Sequence, residues 1–269
     1  MSALGGPLHM LRAAPTLLRI GFAEMVAYRA EMVIWILTAT LPLVMLALWS
    51  AAAEGGPLMG FGQAEFARYF TVNLVLRQLT GAWVVWELNF QVRTGALSPM
   101  LLRPLNPLLW NLATTLAAIP FRLVVLTPIL GLLLWWRPDI AFVPSGAQAL
   151  QFCLSLPLAF LLSWLIQCAF GCLAFWFEQS MGMFQVYNVV WGFLSGYLVP
   201  VALLPAGLLA VATWSPFRAA FGTTLELLLG LSADPWRDLG LQAGWTALTL
   251  GLVVLLWKYG IRRYGAVGA

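Results

Sequence analysis

Three long stretches without a charged residue limit what this chain can fold into more than any other feature of its sequence. They cover residues 32–53, 140–177 and 179–217. Each is longer than the roughly 20 residues that an α-helix needs to cross the hydrocarbon core of a bilayer. The whole chain is 62% hydrophobic and 9% charged, whereas soluble domains are about 45–50% apolar and about 25% charged. The sequence therefore predicts an all-α integral membrane protein.

We predict six transmembrane helices, at residues 32–53, 69–90, 104–136, 148–177, 181–200 and 241–257. The third predicted span, at residues 104–136, would form a helix of about 50 Å in a hydrocarbon core of about 30 Å. We therefore expect this span to bend at Pro120. Pro200, Pro205 and Gly207 interrupt the long run that contains the fifth span. They predict an outer re-entrant hairpin, with its irregular backbone buried in protein.

The chain is predicted to form a single transmembrane domain over residues 1–269, with the spans at 32–257 and tails at 1–31 and 258–269. The first tail lacks the apolar core of a signal peptide, so we expect it to remain in the mature protein. Residues 15–31 have apolar side chains along one arc, which favours an interfacial helix at the membrane surface. A lead-in turn of the first span is the alternative.

The basic residues indicate the orientation of the chain, because cytoplasmic loops collect Lys and Arg. Of the fourteen basic residues, four lie on the opposite face and two lie within spans. The others share the face of the two termini, which predicts that both termini are cytoplasmic: Arg12, Arg19, Arg29, Arg93, Arg103, Lys258, Arg262 and Arg263.

Several kinds of chemistry are excluded by missing residues. An ATP-binding GxxxxGK[ST] loop needs a lysine followed by Ser or Thr, but the single lysine, Lys258, precedes a tyrosine. The single histidine, His9, lies in the N-terminal tail, so a buried Ser-His dyad or a histidine-rich metal site is not available. Three cysteines fall within the fourth predicted span, where we interpret them as small packing residues.

Charged residues inside predicted spans are costly and often mark a pathway, an ion pair or a packed polar site. Arg77 and Glu87 lie in the second span, and Arg122 lies in the third. On one continuous helix, Arg77 and Glu87 would be about 15 Å apart along the axis, too far to pair. We expect Glu87 or Glu178 to reach Arg122, and structural ion pairs are as plausible as a pathway.

The loop at residues 91–107 has the sequence pattern of a short helix. Ser98 is a suitable N-cap, Pro99 suits the first helical position, and Pro104 disfavours helical geometry at Arg103. Such a helix would present two leucines, Leu101 and Leu102, beside cationic side chains. The loop is either a connector whose arginines contact lipid phosphates or a docking helix for a cytoplasmic partner.

Residues 93–104, R-T-G-A-L-S-P-M-L-L-R-P, carry a resemblance to a known family. With this loop after the second span, the chain resembles the type-2 export permeases of the ATP-binding-cassette superfamily, in a bacterial branch. The likeness extends over most of the chain and includes the interfacial helix, the six spans and the outer re-entrant stretch.

The resemblance implies that the loop forms the coupling helix that docks on an ATPase. The residues in that role would be Arg93, Leu97, Met100, Leu101, Leu102 and Arg103. It further implies an assembly in the bacterial inner membrane, in which two permease chains, identical or related, enclose a pathway above two nucleotide-binding ATPase subunits. ATP and Mg would bind to those subunits, so the chain itself would hold no cofactor, catalyse no reaction and bind no nucleic acid.

The resemblance also places the export pathway between the first, second and fifth spans. Our candidates for substrate contact are Asn73, Arg77, Glu87, Tyr187, Asn188 and Trp191. They are equally compatible with interhelical packing. The sequence leaves the substrate open between a hydrophobic or cationic drug-like compound, a lipid-linked glycan and a peptide. A membrane scaffold without a transport role is the main alternative, and a lipid-modifying enzyme is a more distant one.

Overall fold

The computed structural model describes Thr16 and residues 41–103 and 105–265. In this part of the chain every regular element is a helix, which agrees with the predicted all-α class. The interfacial helix at residues 15–31 and the first part of the first span lie outside the described residues, apart from Thr16. Pro104 and residues 266–269 lie outside them as well.

The α-helices follow one another along the chain with short connections. They are α1 (Leu41–Ala52), α2 (Gln63–Thr80), α3 (Val84–Arg93), α4 (Leu97–Leu101), α5 (Pro107–Trp136), α6 (Gly146–Cys172), α7 (Ser180–Leu194), α8 (Ala206–Trp214), α9 (Pro216–Ala219), α10 (Gly222–Leu229) and α11 (Pro235–Arg263). Short 3₁₀ turns occur at Pro138–Ile140, Leu173–Phe175 and Val201–Leu203.

Three of the described helices are long and apolar enough to cross a membrane: α5, α6 with the 3₁₀ turn that follows it, and α11. Helix α6 is central, since it packs against α2, α3, α7, α10 and α11. In its most apolar stretch 56% of the residues are buried, compared with 22% for α5 and 28% for α11. The apolar outer surfaces of α5 and α11 are therefore left to face lipid or another protein chain.

The third predicted span begins later than expected, at Pro107. Asn106 caps this helix, because its side-chain oxygen accepts a hydrogen bond from the backbone N–H of Leu108 at 2.9 Å. Pro107 occupies the first turn, where its missing N–H costs nothing. The helix then continues as one element to Trp136, with Pro120 and Pro128 inside it.

Helix α5 separates two ends of the bundle by about 45 Å, given its length and a rise of about 1.5 Å per residue. At one end, Val92, Leu97, Cys172 and Phe175 form an apolar cluster. We call this the loop end, because it carries residues 94–103 and 105–106. At the far end, Arg68 donates a hydrogen bond to the backbone oxygen of Asp139 at 3.2 Å.

The region after α7, where the sequence predicts an outer re-entrant hairpin, contains several short helices. After Leu194 the chain turns through residues 195–200 and forms α8, α9 and α10 before α11 begins. Buried Tyr197, Phe221 and Leu225 belong to an apolar cluster that also contains Leu46 and Phe66. This contact joins the region after α7 to α1 and α2.

Candidate functional site

A break in the predicted second span shapes the site. Residues 69–90 were expected to form one helix, but α2 ends at Thr80 and α3 begins at Val84. Gly81 occupies the break, and a Cβ on it would lie 2.9 Å from the backbone oxygen of Arg77 and 3.3 Å from Nη1 of Arg122. A larger residue at position 81 would therefore collide with the end of α2. The prediction of a continuous helix was wrong.

Arg122 of α5 stabilises this break. Its Nη1 donates hydrogen bonds to the backbone oxygens of Gly81 at 2.6 Å and Gln78 at 3.4 Å. These carbonyl groups have no helical partner, and a membrane interior offers no water to replace one. The expected pairing of Arg122 with Glu87 or Glu178 is wrong, because both acids are exposed and Arg122 forms no ion pair with a described residue.

Four of the six candidate pathway residues line a single cavity of about 340 Å³ between α2, α3, α6 and α7. These four are Arg77, Tyr187, Asn188 and Trp191. The guanidinium carbon of Arg77 lies 5.4 Å from the centroid of the Trp191 ring and 5.9 Å from that of Tyr197. Among the described residues, the cavity therefore combines aromatic walls with one cationic side chain, an arrangement typical of a ligand site.

Asn73 lies outside this cavity but supports its wall. Its side chain is fully buried, and Nδ2 donates to the backbone oxygens of Gly196 at 3.3 Å and Tyr197 at 3.1 Å. The hydroxyl group of Tyr69 donates to the same oxygen of Gly196 at 2.8 Å. Asn73 is thus a positioning residue for the turn that carries Tyr197, and it does not contact the cavity directly.

Glu87 lies outside the cavity as well. It is exposed in the first turn of α3, and its Oε1 accepts a hydrogen bond from Nε2 of Gln91 at 2.7 Å. Glu87 was expected inside a continuous second span, but it lies on α3, after the break at Gly81. The structure therefore does not support a pathway contact for Glu87.

The loop end contains the short helix that the sequence predicts, with a different cap. Helix α4 begins at Leu97, one residue before Ser98, so Ser98 is not its N-cap. The Ser98 hydroxyl group instead lies 3.1 Å from the hydroxyl group of Tyr264, beyond the end of α11. This hydrogen bond ties the loop to the C-terminal end of the last helix.

The candidate coupling residues divide into buried and exposed groups. Leu97 is fully buried in the apolar cluster with Val92, Cys172 and Phe175, and Leu101 packs against that cluster. Leu102 is 88% exposed, and Arg93 and Arg103 are also exposed, while Met100 is half-buried. Leu97 therefore anchors the loop to the bundle and does not face a partner, and Leu102 is the most accessible apolar side chain of this group.

A buried ionic cluster at the far end was missed by the sequence analysis. Arg218 donates hydrogen bonds to Glu226 at 3.0 and 2.6 Å and to Asp238 at 3.0 and 2.6 Å. Ser232 donates to Asp238 at 2.8 Å. The cluster joins α9, α10 and α11. Glu226, the single acid in the apolar segment 219–231, was the available signal, because a lone buried carboxylate needs a partner.

One comparison with known proteins identifies the family of the chain. The family model described as ABC-2 family transporter protein matches residues 24–268, which is nearly the whole chain. A comparison with curated proteins and another with solved structures find no significant match. The match includes every helix of the bundle, the cavity and the loop end. The chain therefore belongs to the ABC-2 family of transporter proteins and is an ABC-2 type permease.

Proposed function

We propose that this permease forms half of the membrane part of an ATP-driven exporter and that its loop end receives force from a separate ATPase. ABC-2 permeases are membrane transport components that associate with ATP-binding subunits and are not themselves catalytic. In this proposal the chain crosses a bacterial inner membrane six times, with both termini in the cytoplasm. A second permease chain, identical or related, completes the pathway above two ATPase subunits.

The exposed side chain of Leu102 is the observation that carries the proposal. Leu102 is 88% exposed on a short loop, and covering it with a partner would stabilise the complex by about 25 cal/mol per Å² of buried apolar surface. Arg93 and Arg103 add exposed cationic groups to the same surface. Because Leu97 is buried below them, movement of a bound partner would be transmitted to the cluster that joins α3, α6 and α11.

The cavity supports the pathway part of the proposal. It is bordered by residues of α2, α3, α6 and α7, and Leu41 of α1 contributes to its wall. Trp83, Trp86, Val189 and Phe193 are exposed side chains among its lining residues. The cavity therefore opens on the side of α3 and α7, where a second permease chain would close it.

Recruitment of the ATPase tests the proposal. We expect the wild-type chain, expressed with its neighbouring genes and isolated in nanodiscs, to retain an ATPase subunit, whereas Leu102→Asp loses at least about nine-tenths of it. The matched control is Val143→Asp, since Val143 is 93% exposed in the connection between α5 and α6, at the far end. Retention by both variants, or loss from both, would contradict a docking role for the loop end.

A further inference from the structure

We infer that the cavity binds an amphiphile with a negatively charged group, which is held by Arg77 while the apolar body lies against the aromatic wall. The inference deepens the proposed function by naming a substrate class. It rests on that function only where the ligand is called a substrate, because binding itself requires no ATPase.

Two cationic side chains lie close to Gly81. The guanidinium groups of Arg77 and Arg122 both approach this glycine, at 3.6 Å and 3.3 Å from the position that a Cβ would occupy. The described ion pairs all involve other arginines, Arg137 and Arg218. Two cations therefore meet at the break between α2 and α3 without a described carboxylate beside them, which is costly at membrane depth.

The two arginines differ in whether their guanidinium group can reach a ligand in the cavity. The side chain of Arg122 is buried, and its Nη1 donates to the carbonyl groups at the end of α2. Arg77 lies at the cavity wall, over the faces of Trp191 and Tyr197. Aromatic faces stabilise a cation only weakly, so they do not replace a counterion. An anionic ligand group would supply the missing charge.

The rest of the cavity determines what kind of anion fits. Its volume of about 340 Å³ lies within the range of small-molecule sites, and most of its wall is aromatic or aliphatic. Trp83, Trp86 and Phe193 are exposed at its edge, so the approach is apolar. A small hydrated anion would pair with Arg77 but would lose its water and leave the apolar wall uncovered. A ligand with an apolar body and one anionic group satisfies both parts of the cavity.

Gln167 is a polar residue of the cavity wall. The side-chain oxygen of Gln167 is buried and has no hydrogen-bond partner among the described residues. Of the substrates that the sequence left open, a cationic drug-like compound is disfavoured, because its charge would face Arg77.

Photolabelling of the purified full chain in phosphatidylcholine nanodiscs tests this inference. The probes are an alkyl sulfonate that carries a diazirine on its chain and the uncharged alcohol with the same chain and diazirine. We expect the sulfonate to label peptides of α3 and α7 about tenfold more strongly than the alcohol. A hydrogen bond between charged groups increases binding affinity by about this factor.

Two substitutions separate charge from shape. Arg77→Gln is expected to reduce sulfonate labelling about tenfold, and Arg77→Lys to keep most of it. Arg137→Gln, at the exposed far end, is the control and should leave labelling unchanged. Equal labelling by sulfonate and alcohol in the wild-type chain would overturn the inference even if an Arg77 variant failed to fold, and so would full labelling of a folded Arg77→Gln chain.

Two further arms identify the source of the anion and separate this inference from the proposed function. If an anionic lipid headgroup occupies the site, phosphatidylglycerol in the nanodisc should lower the labelling by the sulfonate. If the site takes a free amphiphile, phosphatidylglycerol should leave the labelling unchanged. Both results support an anion site. With the ATPase bound, the sulfonate should stimulate ATP hydrolysis in an Arg77-dependent manner. Arg77-dependent labelling without stimulation would leave the anion site in place and count against its role in export.

Discussion

Single residues determine the shape of the cavity wall. Arg77 of α2 and Trp191 of α7 lie on it, and the resemblance had placed the second and fifth spans beside one pathway. Substrate contact by either residue stays a prediction. The supporting role of Asn73 was not predictable, since its partners, Gly196 and Tyr197, lie more than 120 residues away on a turn without regular structure. The sequence placed Asn73 as a polar residue inside a predicted span, and the tertiary fold decided what it contacts.

Gly196 gives a test at this scale. Its φ is +87°, a conformation that L side chains rarely adopt, and a Cβ would lie 2.7 Å from the Tyr69 hydroxyl oxygen. We expect Gly196→Ala to lower the free energy of unfolding by about 1–3 kcal/mol. Equilibrium unfolding in mixed micelles measures this.

Gly207→Ala is the matched control for that substitution. Nothing lies within 4 Å of a Cβ at this position in α8, so its stability should be unchanged or slightly higher. If both variants unfold like the wild type, the close contact between the turn and Tyr69 does not constrain the fold.

At the scale of helices, the sequence predicted where α5, α6 and α11 lie because long apolar runs and caps such as Asn106 are local signals. The break at Gly81 was missed for a physical reason. A single glycine is tolerated inside a helix, and the break depends on hydrogen bonds from Arg122, which lies 41 residues further along the chain. Contacts between distant helices leave no local pattern in one sequence.

The Arg218 cluster gives a test at the scale of helices. Arg218→Met would leave the buried carboxylates of Glu226 and Asp238 without their cation, so we expect a loss of about 3–5 kcal/mol in the free energy of unfolding. Arg137→Met breaks an exposed ion pair with Asp139 and should cost no more than about 1 kcal/mol. Equal losses, measured by unfolding in mixed micelles, would show that the cluster does not hold α9, α10 and α11 together.

For the whole molecule, the central relation is between the loop end and the cavity. Helix α3 connects them: Trp86 lines the cavity, and Val92 packs with Leu97 in the cluster below α4. Under the proposed function, we expect a displacement of α4 to be carried to the cavity wall through α3, because packed helices move as rigid elements. The break at Gly81 separates α3 from α2.

The most direct measurement of this account is site-specific crosslinking in the assembled complex. A photoreactive amino acid would replace Leu102 at the loop end or, as the matched control, Val143 at the far end. The account predicts that the Leu102 position crosslinks to the ATPase subunit, that the yield changes when ATP is added, and that the Val143 position gives no such product. Absence of the Leu102 crosslink from a complex that contains the ATPase would contradict the docking of the ATPase at this loop.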